Sequence, residues 1–269
     1  MKATIIFVFT ALFIYSTAFA VVRVVDKSGA GQYTTIQAAI NASSTGDTIK
    51  VLPGIYDEPL IINKAVVIQG SGYETTIIRS SNNPTITMSA GKIMWFAITS
   101  SGGDGAQIMA GTITNCVVSG CTGSGIKFPA SSTGSIKNSV IIGNATQGVQ
   151  SRYDRTGSAV NCISRNNGGD GFSYVGGVTY CNGYVYNSDG SNNINVDPLF
   201  VSSSDFRITP TSPCWDTGNP ADQDPDGSRS DMGYYGGFDA PVFPVVTGLR
   251  LQLNSDGTVT VKATAQSRY

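Results

Sequence analysis

A repeat of 23 residues in the middle of the chain constrains the fold more than any other feature. Within each repeat, short runs of β-branched residues alternate with clusters of Gly, Asn and Ser, and this pattern predicts short strands joined by turns. A period of about 20–50 residues is typical of stacked repeats. Three columns stay in phase at this spacing: Asn115, Asn138 and Asn161; Gly125, Gly148 and Gly171; and Ile126, Val149 and Phe172. The sequence therefore predicts an all-β solenoid, a parallel β-helix in which each repeat is one turn.

Stacking of the repeats predicts two ladders of side chains. Asn115, Asn138 and Asn161 are expected to form an asparagine ladder, because like residues in neighbouring turns lie about 4.8 Å apart. A ladder of small side chains is expected at Cys116, Ser139, Cys162 and Cys181. Cys162 and Cys181 can form a disulfide between neighbouring turns, or all five cysteines can be buried thiols that pack as small apolar groups.

The N-terminal residues suggest export, and the charge of the chain argues against a nucleic-acid partner. Residues 1–20 combine Lys2, an apolar run and Ala18-Phe-Ala20, which is the layout of a secretory signal peptide; a retained anchor is the alternative. No later segment is apolar over the length of a membrane span. With 13% charged residues and a net charge of −1, the chain lacks the basic patch of a nucleic-acid-binding protein. We expect a secreted or cell-surface protein.

The start of the predicted stack contains a short helix. Ile36, Ala39 and Ile40 lie on one helical face, and Thr35 precedes them as an N-cap. Such a helix can cover the open end of the stack, where core and strand edges would otherwise meet water. We therefore predict a β-helix over residues 21–215 with an N-terminal capping helix.

The start of the predicted stack, including this helix, carries a family resemblance. Its motifs are Gly31–Ile40, Gly46–Ile49, Pro53–Glu58 and Ile68–Gly72, followed by Thr76-Ile-Ile. Together they resemble the opening of the pectin-lyase-like right-handed parallel β-helix superfamily, and of pectin methylesterases in particular. With the repeats, the resemblance covers about residues 25–215. It implies a right-handed coil and a secreted protein that acts on or binds acidic polysaccharides, while the function itself depends on the site.

The catalytic motifs of the enzymes in that superfamily are missing. The chain lacks the Gln-Asp-Thr-Leu and Asp-Phe-Ile-Phe-Gly motifs of pectin methylesterases, the Asp-Asp pair and Gly-His-Gly of polygalacturonases, and the Arg-Xaa-Pro-Xaa-Xaa-Arg of pectate lyases. It contains no histidine. No family activity transfers residue by residue, and any chemistry would have to use Asp, Lys, Arg or Tyr.

A candidate groove follows from the register of the repeat. If Ile126, Val149 and Phe172 point inward, the residues after them point outward in one row. The candidate substrate-binding residues on this surface are Lys127, Gln150, Arg152, Tyr153 and Arg155, and the candidate catalytic residues are Lys127, Arg152, Asp154 and Arg155. Arginine can hold the carboxylates of a uronic-acid polymer in a bidentate manner. The alternative is an exposed turn with solvated charges.

Three functions remain open at this stage. The favoured one is recognition of an acidic polysaccharide, or of a cell-surface glycan, without turnover. The alternative is a polysaccharide-degrading enzyme acting around Arg152, with β-elimination by a lyase favoured over hydrolysis. A non-carbohydrate adhesin is a further alternative.

The C-terminal part differs in character from the repeats. In the Asp-rich segment 216–239, Asp222, Asp224 and Asp226 alternate before Gly227, as in the first half of an EF-hand loop, and Asp231 is the nearest acid to the expected glutamate. The pattern predicts Ca²⁺ as a possible cofactor on these four aspartates, with a solvated acidic turn as the alternative. The segment is expected to seal the C-terminal end of the stack, and residues 240–269 predict a β-hairpin tail or a partial module.

Overall fold

The computed structural model describes residues 20–241, 243–254, 256 and 258–268. The predicted signal peptide falls on residues 1–20, of which 1–19 lie outside the described residues, so it stays a prediction.

The described elements include one helix, α1 (Ile36–Ala42). The strands are β1 (Val22–Val25), β2 (Thr48–Val51), β3 (Gly54–Asp57), β4 (Leu60–Ile62), β5 (Val67–Gln69), β6 (Thr76–Ser80), β7 (Ile86–Met88), β8 (Lys92–Met94), β9 (Ala97–Ser100), β10 (Ala106–Ile108), β11 (Thr112–Thr114), β12 (Val117–Ser119), β13 (Ile126–Phe128), β14 (Ser135–Lys137), β15 (Val140–Ile142), β16 (Val149–Ser151), β17 (Ser158–Val160), β18 (Ile163–Arg165), β19 (Phe172–Ser173), β20 (Gly177–Thr179), β21 (Val185–Tyr186), β22 (Phe243–Leu253) and β23 (Val259–Arg268).

The strands form three parallel sheets that coil together into a right-handed parallel β-helix, so the predicted fold class is confirmed. Sheet A has the order β1-β2-β5-β8-β11-β14-β17-β20, sheet B has the order β3-β6-β9-β12-β15-β18, and sheet C has the order β4-β7-β10-β13-β16-β19-β21. Each turn of the coil contributes one strand to each sheet, in the chain order C, A, B.

The register of the sheets confirms the 23-residue repeat. Ile126 pairs with Val149, which pairs with Phe172, and all three side chains are buried in the interior. Earlier turns are shorter, since Ala106 pairs with Ile126, twenty residues later. The interior is filled by stacked aliphatic and aromatic side chains in one continuous core. Each Å² of apolar surface that is removed from water stabilises the fold by about 25 cal/mol, so this core is the main stabilising contribution.

The asparagine ladder occupies the short turns between sheets A and B. Asn115, Asn138 and Asn161 have φ values of 45°, 41° and 54°, in the left-handed region. Asparagine tolerates this region better than other residues with a side chain. Trp95 and Tyr180 adopt φ values of 68° and 53° in the flanking turns, where the sequence offers no asparagine. The repeated asparagines therefore mark a backbone conformation that every turn of this part of the coil needs.

The helix α1 covers the first turns of the coil, as predicted. The hydroxyl of Thr35 accepts a hydrogen bond from the Ala38 N–H, at 3.3 Å. Ile36, Ala39 and Ile40 are buried in the main core. The carboxylate of Glu58 accepts the N–H groups of the first two helical residues at 2.8 and 3.0 Å, which satisfies donors that have no partner within the helix.

The C-terminal segment, residues 197–241, lies along the side of the coil, and the expectation that it seals the C-terminal end was wrong. The amide of Asn182 donates to Cys214 Sγ in the last turns, whereas the indole N–H of Trp95 donates to the Asp239 carbonyl in an early turn, at 2.8 Å. The segment packs against the outer face of sheet B because that face is apolar. Val117, Val140 and Ile163 pack there in a second hydrophobic cluster that includes Phe206, Ile208, Met232, Tyr234 and Tyr235.

The predicted C-terminal hairpin is present as the antiparallel pair β22 and β23. Leu251, Leu253, Val259 and Val261 share one face and are exposed. Its predicted connection includes residues 255 and 257, which lie outside the described residues. No helix in the described part of the chain has the length and apolarity needed to cross a membrane.

All five cysteines are buried free thiols. Cys162 and Cys181 are neighbours in the ladder of small side chains, where the Cys162 N–H donates to Cys181 Sγ at 3.4 Å. Burial raises the pKa of Cys116 to about 12. Of the two possibilities for the cysteines, the structure thus shows buried thiols and not a disulfide between Cys162 and Cys181.

Candidate functional site

The outer face of sheet C carries the polar row that the sequence predicted. Lys127 pairs with Gln150, and Gln150 pairs with Ser173, so these residues lie side by side on neighbouring strands. The row continues to Tyr186 at one end and to Gln107 at the other. The structure therefore brings the predicted groove residues of β13 and β16 together.

Lys127 in this row is already engaged. Its ammonium lies 2.9 Å from the carboxylate of Asp104. Asp104 is buried at the turn before β10, and it also accepts the N–H of Ser124 at 2.8 Å. Lys127 is thereby tied to a buried anion, which weakens the case for it as a catalytic base.

The loop after β16 holds the other predicted residues. The carboxylate of Asp154 accepts the N–H of Ser131 at 3.0 Å, and the guanidinium of Arg155 lies 2.7 Å from the carboxylate of Asp189. Arg152 is exposed and makes no side-chain hydrogen bond or ion pair with any residue that the structure describes. Of the four catalytic candidates, Arg152 is thus the cation that is available to a ligand.

Beside Arg152 runs an aromatic surface that sequence reasoning missed. Tyr153, Tyr174 and Tyr186 form a tyrosine row: the rings of Tyr153 and Tyr174 lie 4.7 Å apart, those of Tyr174 and Tyr186 5.6 Å apart, and both pairs meet edge to face. Tyr153 is 83% exposed. The hydroxyl of Tyr174 raises the pKa of Tyr186, which favours its neutral, hydrogen-bonding form. Only Tyr153 was among the predicted residues, because the three tyrosines do not follow the 23-residue spacing.

The surface of sheet C around Arg152 exposes an aromatic ring and a guanidinium. Aromatic rings offer apolar faces with a polar tip, and the C–H faces of sugar rings pack against such surfaces. A neighbouring arginine can hold a carboxylate. By contrast, Lys127, Asp154 and Arg155 are each held by a partner within the protein. General acid–base catalysis needs a group free to reach the reacting proton.

The four predicted calcium ligands do not lie together. Asp222 accepts the amide N–H of Asn161 at 3.3 Å, and Asp226 is exposed and accepts from the Ser228 N–H and hydroxyl in a local turn. Asp224 and Asp231 are buried side by side, and Asp216 completes a cluster in which one carboxylate oxygen from each residue lies within 4.8 Å of the others. The alternating spacing of an EF-hand loop is thus replaced by a hairpin in which Gln223 pairs with Arg229.

The electrostatics of this cluster centre on Asp224. Its carboxylate accepts the N–H groups of Asp231, at 3.0 Å, and of Gly237. Burial and the neighbouring Asp231 carboxylate raise its pKa to about 7. Asp231 in turn accepts the N–H of Asp216 at 2.7 Å. These carboxylates are oxygen donors of the kind calcium prefers. Calcium binding, predicted from the sequence at Asp222, Asp224, Asp226 and Asp231, stays a prediction.

The comparison with known families agrees with this architecture. A family model described as "Right handed beta helix region" matches residues 61–209. No curated protein matches the sequence. Among solved structures, pectate lyase Pel9A is 12% identical, with 81% of this chain and 96% of that chain covered and a TM-score of 0.43. Pectin methylesterase PemA from Erwinia chrysanthemi is 14% identical, with 72% and 75% covered and a TM-score of 0.37. Pectin methylesterase from carrot is 12% identical, with 63% and 82% covered and a TM-score of 0.33.

Proposed function

Because this chain belongs to the right-handed β-helix family, we propose that it uses the outer face of its coil to recognise an acidic polysaccharide without cleaving it. The proposed site is the groove formed by Gln150, Arg152 and the tyrosine row on sheet C. The protein would act outside the cell or at the cell surface, in keeping with the signal peptide predicted for residues 1–20.

The observation that carries this proposal is that Arg152, which forms no ion pair with any described residue, lies beside the exposed ring of Tyr153. A polymer of uronic acids presents a carboxylate on every sugar ring and C–H groups on the ring faces. A guanidinium and an aromatic surface match these two features. Pectin-like polygalacturonate is the first polymer to test, because the opening segment resembles that of pectin methylesterases.

The alternative, a lyase acting at the same groove, has less support. Elimination needs a base near the proton that is removed and a cation that offsets the adjacent carboxylate. Lys127 and Arg155 are paired with Asp104 and Asp189, so Arg152 would have to serve without either of them. A lyase would also release products with a new double bond, which absorb in the ultraviolet.

The test is binding of polygalacturonate to the purified protein by isothermal titration calorimetry. We expect the double variant Arg152→Ala, Tyr153→Ala to bind about tenfold more weakly, since an aromatic contact and an exposed ionic contact each contribute about 0.5–1 kcal/mol. Arg79→Ala is the matched control, because Arg79 is an exposed arginine on sheet B that pairs with Asp57. Equal affinity of the double variant and the protein itself would refute the proposed site.

The same samples decide between binding and turnover. Ultraviolet absorbance and new reducing ends are followed over time with polygalacturonate. We expect neither signal to rise. Absorbance that increases with the intact protein and is lost in Arg152→Ala would replace recognition by the lyase alternative.

A further inference from the structure

A cleft lies on a different side of the coil from the tyrosine row, where the C-terminal segment crosses the turns between sheets A and B. Its volume is about 360 Å³, within the range of about 300–1,000 Å³ typical of small-molecule sites. Thr114 and Lys137 line it on the side of the coil. Gln223 and Phe238 line it on the side of the C-terminal segment. The cleft therefore exists only because this segment folds back along the coil.

The floor of this cleft is rigid. The side-chain amide of Asn115 donates to the carbonyls of Tyr234 and Gly236 at 2.7 and 2.8 Å, and the amide of Asn138 donates to the Asp231 carbonyl at 3.2 Å. Both asparagines are buried. These bonds join the two walls, so the cleft is formed before any ligand arrives and binding needs little rearrangement.

The rim of the cleft carries an aromatic ring that is exposed to solvent. Phe238 is 86% exposed, although the neighbouring Tyr234 and Tyr235 are buried against sheet B. Leaving a phenyl ring in water forgoes the stabilisation that burial would provide. A ring held at the mouth of a polar cleft is well placed to pack against the C–H face of a sugar.

The charges in and around the cleft nearly cancel. Asp222 and Asp239 contribute two carboxylates. Asp239 is paired with Lys92, whereas Asp222 accepts the amide of Asn161 at 3.3 Å. Lys137 is exposed and forms no ion pair with any described residue. The ammonium of Lys137, which has no ion pair among the described residues, the carboxylate acceptors and the amide of Gln223 can satisfy the hydroxyl groups of a neutral sugar, and the balanced charges give a uronate no net attraction.

We propose that this cleft is a second carbohydrate site, which binds a short neutral glycan with a sugar ring against Phe238 and hydroxyl groups on Lys137 and Asp222. It is separate from the groove around Arg152 in position, in charge and in ligand class. The proposal does not depend on the function assigned to that groove.

The test is saturation-transfer NMR of the intact protein with a panel of neutral disaccharides at millimolar concentration, namely maltose, cellobiose, lactose and galactobiose. We expect at least one of them to receive saturation. Phe238→Ala should weaken that disaccharide's affinity about tenfold, because the aromatic contact is lost. Lys137→Gln, on the opposite wall, should weaken it as well, and it provides a second variant should Phe238→Ala fold poorly.

The matched control is Tyr184→Ala, which removes an exposed aromatic ring that lies outside both proposed sites. It should leave the affinity for the neutral disaccharide unchanged. No saturation of any disaccharide in the panel would overturn the proposal. Equal affinity in the protein, Phe238→Ala and Lys137→Gln would also overturn it, since the ligand would then be bound elsewhere.

Discussion

The asparagine ladder holds the C-terminal segment on the coil, and Asn161 is the position at which this role can be measured. Its side-chain amide donates to Asp222 Oδ2 and Ser230 Oγ at 3.3 and 3.2 Å, and its oxygen accepts the Asn219 N–H at 2.7 Å. The residue is fully buried, with a φ of 54°. Replacing Asn161 with alanine removes all three hydrogen bonds. It also leaves an apolar residue in the left-handed region, which asparagine tolerates better than alanine does.

The expected loss of unfolding free energy follows from these contacts. The two donated bonds contribute about 0.5–1.5 kcal/mol each, and leaving the N–H of Asn219 without its partner costs about 1–3 kcal/mol. Alanine in the left-handed region costs about 1 kcal/mol more than asparagine. Since part of the lost bonding is regained from solvent, we expect Asn161→Ala to destabilise the protein by about 3–5 kcal/mol.

Asn166→Ala separates the backbone effect from the bonding effect. Asn166 has a φ of 53°, is exposed, and makes no side-chain hydrogen bond among the described residues. Urea unfolding followed by circular dichroism should give a loss of about 1 kcal/mol for Asn166→Ala. Limited proteolysis of Asn161→Ala should cut first within residues 216–240. If Asn161→Ala costs no more than Asn166→Ala, the ladder does not hold the segment.

Three further predictions concern the acidic cluster and the packing of a turn. The pKa of Asp224, about 7 in the folded protein, exceeds its value of about 3.9 in the unfolded chain. Between these two pKa values the native state holds a proton on Asp224 that the unfolded chain has lost, so the free energy of unfolding should fall by about 2–4 kcal/mol as the pH rises from 4 to 7. Urea midpoints at pH 5 and pH 8 test this, and Asp224→Asn should reduce the difference between the two midpoints. Millimolar calcium should raise Tm at pH 8, above the pKa of Asp224, and much less at pH 5; calorimetry without heat or a Tm change would exclude the site. Gly157→Ala should cost about 2–4 kcal/mol, because a Cβ there would lie 2.3 Å from the Phe128 ring at a φ of 73°. Gly143→Ala, with a φ of 67° and open space, is its control, and an equal loss in both would show that backbone strain alone is measured.

The candidate site shows where prediction from sequence stops. Lys127 and Gln150 could be placed in one row, because each follows an inward-pointing residue of the repeat. That Lys127 is bound to Asp104 and Arg155 to Asp189 could not be predicted, since these partners come from turns of different length. The alternating aspartates 222, 224 and 226 suggested one ion site, but a hairpin turns Asp226 outward and Asp216 takes its place beside Asp224.

The sequence by itself determined the coil, its strand register and its capping helix. Neighbouring turns stack in register, so the contacts that specify them recur at a constant spacing and are visible in columns such as Ile126, Val149 and Phe172. Only the tertiary structure decided the path of the C-terminal segment, the lack of an ion pair between Arg152 and any described residue, and the cleft beside Phe238. Each of these depends on contacts between segments far apart in the chain, such as Asn115 with Tyr234, for which no periodic spacing exists.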